Sequence, residues 1–209
     1  MEDVARTEGH KRIAGVDEAG RGPWAGPVFA AAVIFDPARL PDELLAGLDD
    51  SKKLTARRRT ALYETMSDLG RSGGGVEIGV GHAEVAEIDE INILQASLLA
   101  MRRAIERLDK LPDYALIDGR IKPRLACRAN AVVKGDQLSL SIAAASIIAK
   151  VTRDRLMGTL ATLHPGYGWE TNMGYGTAKH QTGLEKLGVT QHHRESFAPI
   201  HKILSARGG

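Results

Sequence analysis

The pattern of apolar and polar residues predicts several short strands. Residues 28–35 are almost all apolar, which is typical of a strand covered on both faces, and residues 12–17 form a shorter apolar run before them. The glycine- and proline-containing segment 20–27 predicts that these two strands form a hairpin-like pair with a wide turn. Further strands are predicted at residues 76–80, 114–117 and 125–134.

Apolar residues at helical spacing predict the longest helix over residues 89–109. They recur at alternating steps of three and four at Ile91, Leu94, Leu98, Met101, Ile105 and Leu108. Asp89 is a candidate N-cap, and Pro112 follows the end of the pattern. Another helix is predicted after Thr55 as N-cap, ending at Gly70, with an apolar stripe of Leu62, Met66 and Leu69.

The second half of the chain is predicted to be mainly helical. A long helix rich in Ala, Ser and Ile follows Gly135-Asp136 and runs to about residue 160. Residues 164–176 are rich in glycine and aromatic residues, which indicates a loop. Two short helices are expected after it, capped by Thr177 and Thr190 and separated by Gly188.

Strands and helices therefore alternate, which predicts an α/β fold of about five strands with helices packed on them. The 209 residues suit one domain or one domain with an appendage. The chain shows no internal repeat, and the glycine-rich stretch 72–75 is too short to divide domains.

Composition narrows the class of protein. The sequence contains no run of about 18 apolar residues, so no membrane helix is expected. The polar N-terminus lacks the apolar core of a signal peptide. The single cysteine, Cys127, excludes an internal disulfide and a cysteine-based zinc site, and it is expected to be a small buried apolar residue. A cytoplasmic location is expected from these features.

Charge is unevenly placed along the chain, although the net charge is only +2. From Asp118 onward there are 13 Lys and Arg against 6 Asp and Glu, whereas the part before it has 15 against 20. Five of the seven histidines also lie in the basic part. This asymmetry is consistent with a polyanionic partner, since phosphate backbones attract such a surface, and equally with a solvated surface.

Four acids occupy similar places relative to the predicted strands. Asp17 and Glu18 end the first strand, Asp118 ends a later one, and Asp136 follows strand 125–134 at the start of the long helix. Function collects at strand ends in open α/β sheets, so the four carboxylates are expected to converge if these strands are neighbours. Like charges at short range raise one another's pKa unless a cation lies between them.

Divalent ions would stabilise such a group. Mg²⁺ and Mn²⁺ prefer hard oxygen ligands, and two such ions can clamp an in-line phosphoryl displacement. Each acid also has an ordinary interpretation when taken alone: Asp118-Gly119 as a turn, Asp136 as a helix N-cap and Asp17-Glu18 as a solvated strand end. The joint pattern favours the metal site.

The glycine-rich turn after the first strand does not match the common nucleotide-binding loops. Its spacing from Gly20 is G-x-G-x-x-x-G, and Pro23 removes an amide donor, so a dinucleotide fingerprint fails. A P-loop fails because no Gly-Lys-Ser/Thr follows. The turn exposes backbone beside the acids, and Arg21 is able to reach a phosphate, which suits a passing nucleotide strand.

Two further segments are candidates for contacts with nucleic acid. Lys52 and Lys53 precede a capped helix and are either phosphate contacts or solvated lysines. Tyr175 lies between glycines, where it is free to stack on a sugar or base or else packs on the core. Thr177 and Lys179 follow at the start of a short helix, where amides and a lysine favour an anion.

Taken in order, the motifs resemble those of the type 2 ribonucleases H, specifically the bacterial ribonuclease HII family. The resemblance covers about residues 12 to 204. The motifs are Gly15-Val-Asp17-Glu18-Ala-Gly20-Arg21-Gly22-Pro23, Asp50-Ser-Lys-Lys-Leu54, Ile117-Asp118-Gly119, Lys134-Gly135-Asp136, Ser141-Ile-Ala-Ala-Ala-Ser-Ile-Ile-Ala-Lys150-Val-Thr-Arg153-Asp154, Gly174-Tyr175-Gly-Thr177 and His193-Arg194-Glu-Ser196-Phe197.

The resemblance implies a ribonuclease H-like mixed five-stranded sheet flanked by helices. Residues 12–160 would form the catalytic domain, and residues 161–209 would form a helical substrate-binding extension packed on it. It implies that Asp17, Glu18, Asp118 and Asp136 bind metal and that Gly20, Arg21 and Gly22 read the ribose 2′-hydroxyl and the adjacent phosphate. It also implies that Tyr175 stacks at the junction sugar. Met173 departs from the family, in which many members carry a basic residue there, so one phosphate contact is in doubt.

The function implied is hydrolysis of RNA in RNA/DNA hybrids and incision 5′ of single ribonucleotides in duplex DNA. The hypothesis is a two-metal mechanism with Mg²⁺ or Mn²⁺ that leaves 3′-hydroxyl and 5′-phosphate ends, by an enzyme expected to be a monomer. A metal-independent ribonuclease that uses His164, His180, His192 and His193 is an alternative. A non-catalytic hybrid-binding module is another, although it leaves the clustered acids repelling nucleic acid.

Overall fold

The computed structural model describes residues 1–49 and 54–207 and contains one mixed sheet. Its strands are β1 (Ile13–Ala19), β2 (Val28–Phe35), β3 (Val76–Ala83), β4 (Tyr114–Asp118) and β5 (Arg128–Val132). They lie in the order β3-β2-β1-β4-β5. The predicted α/β fold with five strands is confirmed. β3 extends past residue 80 because it pairs with β2 along its whole length, while β5 is shorter than predicted.

The register places two of the predicted acids side by side. β1 pairs antiparallel with β2, as the hairpin-like pattern predicts, and parallel with β4. The last matched pair between β1 and β4 is Val16 with Ile117. The next residues along these parallel strands are Asp17 and Asp118, which therefore lie side by side at the same end of the sheet.

Helices cover both faces of the sheet. They are α1 (Glu2–Thr7), α2 (Asp42–Asp49), α3 (Ala56–Arg71), α4 (Val85–Glu106), α5 (Leu140–Leu163), α6 (Trp169–Asn172), α7 (Ala178–Leu187) and α8 (Ala198–Arg207). Ala30 and Ala32 of β2 pack with α4, while Ala31 and Val33 pack with α5 on the other face. Alternate residues of a strand point to opposite faces, so burial of both faces explains why β2 is apolar throughout.

Helix α5 lies directly against β1. A side-chain carbon on Gly15 would come within 2.2 Å of the Ser141 carbonyl carbon, so only glycine allows this approach. The contact holds the first turns of α5 beside the strand that carries Asp17, and it brings the side chains of α5 to the same end of the sheet.

The two predicted threonine caps that precede helices α3 and α7 are confirmed. Thr55 and Thr177 each accept a hydrogen bond from the backbone amide three residues later. The cap predicted at Thr190 is wrong, because residues 191–197 form turns and the next helix begins at Ala198. Helix α3 runs one residue past the predicted end at Gly70.

The predicted cap at Asp89 is also wrong. Helix α4 begins at Val85, where the Glu87 carboxylate accepts from the amide of Glu84, and it is broken at Asn92 (φ 66°). The Asn92 Oδ1 then accepts from the amides of residues 94 and 95, which starts the helical backbone again. Asp89 instead accepts from the amides of Glu195 and Ser196, so it ties the C-terminal segment to α4.

Asp136 does not cap the long helix. It lies in a short 3₁₀ turn, Gly135–Gln137, and the N-cap is Ser139, whose hydroxyl accepts from the Ile142 amide. The interpretation of Asp136 as a helix cap is therefore wrong, which leaves its carboxylate available for another role.

The C-terminal segments pack onto the end of α5. Trp169 is fully buried in a separate apolar cluster with Met157 and Leu160 of α5 and with Leu184 and Ile200. The division into a catalytic domain and an extension at residue 160 stays a prediction. Within the described ranges, no helix has the length and apolar character needed to cross a bilayer.

Cys127 is half-buried rather than fully buried. It packs at the margin of the core between α4 and the sheet, and burial raises the pKa of its thiol. This is consistent with a structural, unreactive cysteine.

Candidate active site

The four predicted acids lie together at one end of the sheet, where the parallel strands β1 and β4 end. Asp17 and Glu18 are consecutive residues near the end of β1, Asp118 ends the neighbouring β4, and Asp136 lies in the 3₁₀ turn after β5. Electrostatic repulsion links Asp17 to Glu18 and to Asp118, and it links Asp118 to Asp136. We call these four residues the acid cluster.

Burial and mutual repulsion disfavour the charged form of the acid cluster. Asp17 is only 7% exposed, and burial, followed by the charges of Glu18 and Asp118, raises its pKa well above the ordinary value. Burial also raises the pKa of Asp118, with the charge of Asp136 adding to the effect. A cation among these oxygens would reverse this penalty.

Hydrogen bonds hold the carboxylates in place, and within the described ranges only Glu18 among them is paired with a cation. Asp118 Oδ1 accepts from the Gly135 amide at 2.7 Å, which ties the loop that carries Asp136 to β4. Asp17 Oδ1 accepts from the Glu18 amide at 2.7 Å. Arg21 donates to Glu18 Oε1 at 3.0 Å, whereas Glu18 Oε2 is buried and has no hydrogen-bond partner among the described residues.

These features fit a divalent metal in chemistry. The donors are hard carboxylate oxygens, and one of them is buried without a partner, which costs free energy unless a ligand is bound. Among the residues that the structure describes, no group of three or more His, Cys, Asp or Glu side chains already surrounds a single point. The cluster therefore supplies suitable ligands whose side chains are not yet arranged around an ion.

A cavity of about 490 Å³ opens beside the acid cluster. Glu18 and Asp136 line it together with four residues predicted to bind substrate, which are Gly20, Arg21, Gly22 and Tyr175. Tyr175 is 47% exposed, and a side-chain carbon on Gly22 would lie 3.2 Å from its ring. The glycine-rich turn and an exposed aromatic ring thus form one surface next to the acids.

The other predicted substrate-binding residues have different positions. Thr177 caps α7, and Lys179 donates to Glu170 at 2.5 Å; neither lines this cavity. Lys52 and Lys53 lie outside the described residues. Met173 packs on the apolar cluster around Trp169, so it offers no phosphate contact.

Four polar residues that were not singled out as site residues from the sequence also line the cavity: Arg59, Ser146, Lys150 and Arg153. Ser146 hydrogen-bonds Asp17, and Lys150 donates to Asp154 at 2.7 Å. Ser146, Lys150 and Arg153 are spaced by four and three residues along α5, so they share one face of the helix. That spacing is the signal in the sequence that would have revealed them.

A larger groove of about 1050 Å³ lies at the opposite end of the strands. It is lined by the segment before β1, the end of β2 and the start of β3, and its acids Asp36, Glu77 and Asp109 are mixed with arginines. Glu77 is paired with Arg12 at 2.8 Å. The chemistry therefore points to the smaller cavity as the active site, despite its size.

Of the four histidines named for an acid–base mechanism, His180 and His193 belong to a closed hydrogen-bond network, whereas His164 and His192 are half-buried and contact each other ring to ring. His180 and His193 are buried, and their Nε2 atoms lie 3.0 Å apart. Trp169 Nε1 donates to His180 Nε2, so His193 Nε2 carries the proton between the rings. His193 Nδ1 then accepts from Thr190, and His180 Nδ1 donates to the Tyr175 carbonyl. We call this group the histidine cluster; burial keeps it neutral and away from solvent.

Fold and site together define a class of protein: a ribonuclease H-like nuclease with a carboxylate cluster at the ends of two adjacent strands. Ribonuclease H2 from Pyrococcus horikoshii is similar in structure, with a TM-score of 0.77, 26% identity and coverage of 94% of this chain and 98% of that one. The Bst ribonuclease HIII solved with Mn²⁺ has a TM-score of 0.71 at 19% identity, with 93% and 70% covered, which supports the fold.

Sequence comparison gives the family. The family model described as Ribonuclease HII matches residues 14–200. The ribonuclease HII of Jannaschia sp. is 60% identical over 193 residues, which are 92% of each chain, and that of Rhodospirillum rubrum is 58% identical over 194 residues, 93% of this chain and 87% of its own. The chain belongs to the ribonuclease HII family. Its members are metal-dependent endoribonucleases that cleave RNA in RNA/DNA hybrids.

Proposed function

We propose that this enzyme incises duplex DNA on the 5′ side of a single embedded ribonucleotide, in addition to cleaving RNA in hybrids, and leaves 3′-hydroxyl and 5′-phosphate ends. The observation that carries the proposal is the meeting of the acid cluster with the turn at Gly20, Arg21 and Gly22 in one cavity. A site that reads one ribose needs a fixed polar surface beside its catalytic acids, and this cavity provides both.

The acid cluster would hold two divalent ions, Mg²⁺ or Mn²⁺. When bound, the ions supply an activated water and stabilise charge on the departing 3′ oxygen. Asp17 and Asp118 would be among the ligands, and a cation beside them would lower their raised pKa values. Glu18 Oε2 would gain the partner that it lacks.

The glycine-rich turn would read the ribose. Neither the Arg21 amide nor the Gly22 amide donates a hydrogen bond to a residue in the described ranges, and both residues face the cavity. These donors suit the 2′-hydroxyl and the adjacent phosphate, and Tyr175 would stack on the neighbouring sugar. A deoxyribose would leave the donor to the 2′-hydroxyl unpaired, which would disfavour it relative to ribose.

Basic side chains around the cavity would bind the phosphates. Arg21, Arg59 and Lys150 line it, and contacts of this kind make binding dependent on salt concentration. Arg21 pairs with Glu18 and Lys150 with Asp154, so an incoming phosphate would compete with these carboxylates for the cations. A monomeric state and a cytoplasmic location stay predictions.

The test is digestion of a DNA duplex that contains one ribonucleotide, with an all-DNA duplex of the same sequence as the control substrate. We expect Mg²⁺- or Mn²⁺-dependent incision 5′ of the ribonucleotide, 3′-hydroxyl and 5′-phosphate ends, and loss of turnover with retained hybrid binding in Asp17→Asn. Asp3→Asn is the matched control, since Asp3 is exposed and pairs with Arg6 in α1. Normal turnover by Asp17→Asn with Mg²⁺ would contradict the assignment.

The product ends separate this mechanism from its alternatives. Cyclic phosphate ends formed in the presence of a chelator would indicate the histidine mechanism. Binding without cleavage under any divalent ion would indicate a hybrid-binding module.

A further inference from the structure

Two arginines near the active site are fully buried without a paired carboxylate. Arg153 is 1% exposed and Arg194 is fully buried. Burial lowers the pKa of Arg153 to about 10 and that of Arg194 to about 9, so both remain charged at neutral pH. In the part of the chain that the structure describes, neither guanidinium donates a hydrogen bond to a carboxylate. A buried charge of this kind is weak evidence for stability, since well-packed apolar residues are often as stable.

Arg194 contacts the glycine-rich turn from beneath. Its Nη2 donates to the Gly20 carbonyl at 2.6 Å, its Nη1 to the Arg21 carbonyl at 3.0 Å, and its Nε to the Gly26 carbonyl at 2.9 Å. The three donors therefore bind carbonyls at both ends of the turn: Gly20 and Arg21 at its start and Gly26 near its end.

Arg153 holds the same turn from α5. Its Nε donates to the Pro27 carbonyl at 3.0 Å, its Nη2 to the Ala25 carbonyl at 3.0 Å, and its Nη1 to the Met173 carbonyl at 2.9 Å. A side-chain carbon on Gly20 would lie 2.0 Å from Arg153 Nε, so the turn rests directly on this guanidinium. The absence of a side chain at Gly20 makes this contact available.

The two arginines also fix the direction of the amides. In a trans peptide the carbonyl and the N–H point in opposite directions. Because Arg194 binds the carbonyls of Gly20 and Arg21, the amides of Arg21 and Gly22 point away from Arg194. Both residues line the cavity, so the unpaired amides are directed to its side of the turn.

The C-terminal segments complete the hold on the turn. The Trp24 amide donates to the Gly174 carbonyl, the Gly26 amide donates to the His192 carbonyl, and the Arg194 amide donates to the Trp24 carbonyl, each at 2.8 Å. Side-chain and main-chain contacts thus fix this turn at both of its ends. Loops that carry function need such support if they are to discriminate closely related ligands.

We propose that Arg153 and Arg194 are positioning residues for ribose recognition, which hold the turn so that the Arg21 and Gly22 amides meet the 2′-hydroxyl side of the substrate. This inference rests on the proposed function of the turn. Neither arginine needs to touch the reacting atoms, and their effect passes through the backbone that they bind.

The main test measures ribose discrimination in Arg194→Lys, in an Asp17→Asn background that does not cleave. Lysine keeps the charge but cannot donate to three carbonyls at once. We expect the ratio of dissociation constants, all-DNA duplex over duplex with one ribonucleotide, to fall about tenfold, while binding of the all-DNA duplex changes little. In the cleaving background, kcat should fall about 100-fold, as is typical when a site is displaced by about 1 Å.

Arg103→Lys is the matched control. Among the described residues, Arg103 donates to Glu87 and to the His82 carbonyl and to no carbonyl of the turn, so the same substitution there should leave the ratio unchanged. A merely structural role of Arg194 would lower the folded fraction and weaken binding of both duplexes equally. An unchanged ratio in folded Arg194→Lys would overturn the proposal.

Two further measurements apply if Arg194→Lys does not fold. Arg153→Lys removes contacts to the other end of the turn and should lower the same ratio. Hydrogen exchange of the unaltered protein should show the Trp24 and Gly26 amides protected as strongly as those of β1; exchange within seconds would overturn the proposal.

The same binding experiment separates failure of the positioning role from failure of the proposed function. If the unaltered protein itself does not distinguish the two duplexes, the proposed function fails. Discrimination that survives both lysine variants refutes the positioning role alone.

Discussion

The acid cluster and the histidine cluster are two buried groups of ionisable side chains in one chain, and they differ in how well they are satisfied. In the histidine cluster each ring nitrogen of His180 and His193 has a partner, and one choice of tautomers satisfies the whole network. In the acid cluster, charges of one sign repel each other, and a buried oxygen of Glu18 lacks a partner among the described residues.

This difference separates a structural site from a functional one. Buried polar groups are normally hydrogen-bonded, so a native cluster that is not satisfied indicates a ligand or a catalytic role. Both clusters are candidates for catalysis from the sequence. The hydrogen bonds of His180 and His193 join the C-terminal segments to one another, whereas the acid cluster is the group that a divalent ion would stabilise.

The largest expected effect is that of Asp118→Asn, which removes one of the repelling charges of the acid cluster and so makes it more like the uncharged histidine cluster. The amide oxygen keeps the hydrogen bond from Gly135, while the charge that repels Asp17 and Asp136 is removed. We expect cleavage of an RNA/DNA hybrid to fall by about 1000-fold or more, and the metal-free protein to gain about 1 kcal/mol in stability. Hybrid digestion and thermal unfolding in a chelator measure the two effects.

The control for this variant is again Asp3→Asn, which should change neither quantity. A lower melting temperature for metal-free Asp118→Asn would show that repulsion in the acid cluster does not strain the fold.

The next effect is a loss of stability in mild acid that comes from the histidine cluster. Burial lowers the pKa of His193 from 6.5 to about 4, so the unfolded chain takes up a proton more readily than the folded one. The stability that neutral His193 provides is therefore present above about pH 6.5 and is lost as the pH falls toward 4, by up to about 3 kcal/mol. Chemical denaturation at a series of pH values measures this slope.

His193→Gln sharpens this test because glutamine does not titrate. The variant should show a clearly shallower slope between pH 6.5 and 4 than the unaltered protein. Equal slopes would mean that other groups cause the loss of stability.

Addition of a divalent ion should affect one cluster and not the other. Mn²⁺ or Mg²⁺ at about 100 times its dissociation constant should stabilise the unaltered protein by about 2.7 kcal/mol, and a chelator should reverse the effect. The stabilisation should disappear in Asp17→Asn and persist in His193→Gln. If Asp17→Asn keeps the stabilisation by the ion, whether or not His193→Gln loses it, the ion binds outside the acid cluster.

The sequence predicts the acid cluster well because each acid is marked by a local pattern. An apolar run that ends in an acid indicates a strand end, as at Asp17 and Asp118, and parallel pairing then brings the two together. The threonine caps of α3 and α7 are predicted for the same reason, since a cap bonds to an amide only three residues away.

The supports of the site are not predictable in this way. Arg153 and Arg194 bind carbonyls more than 100 residues away in the chain, and an arginine in a sequence is normally taken as exposed. Asp89 has the spacing of a helix cap, yet a tertiary contact to residues 195 and 196 uses its carboxylate. Local patterns thus locate the reacting groups, while the long-range contacts that hold them emerge only in the fold.

The smallest expected effect comes from Glu2, a partly buried carboxylate whose hydrogen bonds are satisfied. Its Oε1 accepts from the hydroxyls of Ser139 and Ser141 and from the Ser141 amide, and these hydrogen bonds lower its pKa despite burial. Glu2→Gln should therefore destabilise the protein, by about 1–2 kcal/mol, because a charged acceptor at the start of α5 is lost. Removal of charge is thus expected to act in opposite directions at Glu2 and Asp118. Thermal unfolding of both variants side by side checks this, and stabilisation by Glu2→Gln would show that hydrogen bonding does not distinguish the two kinds of carboxylate.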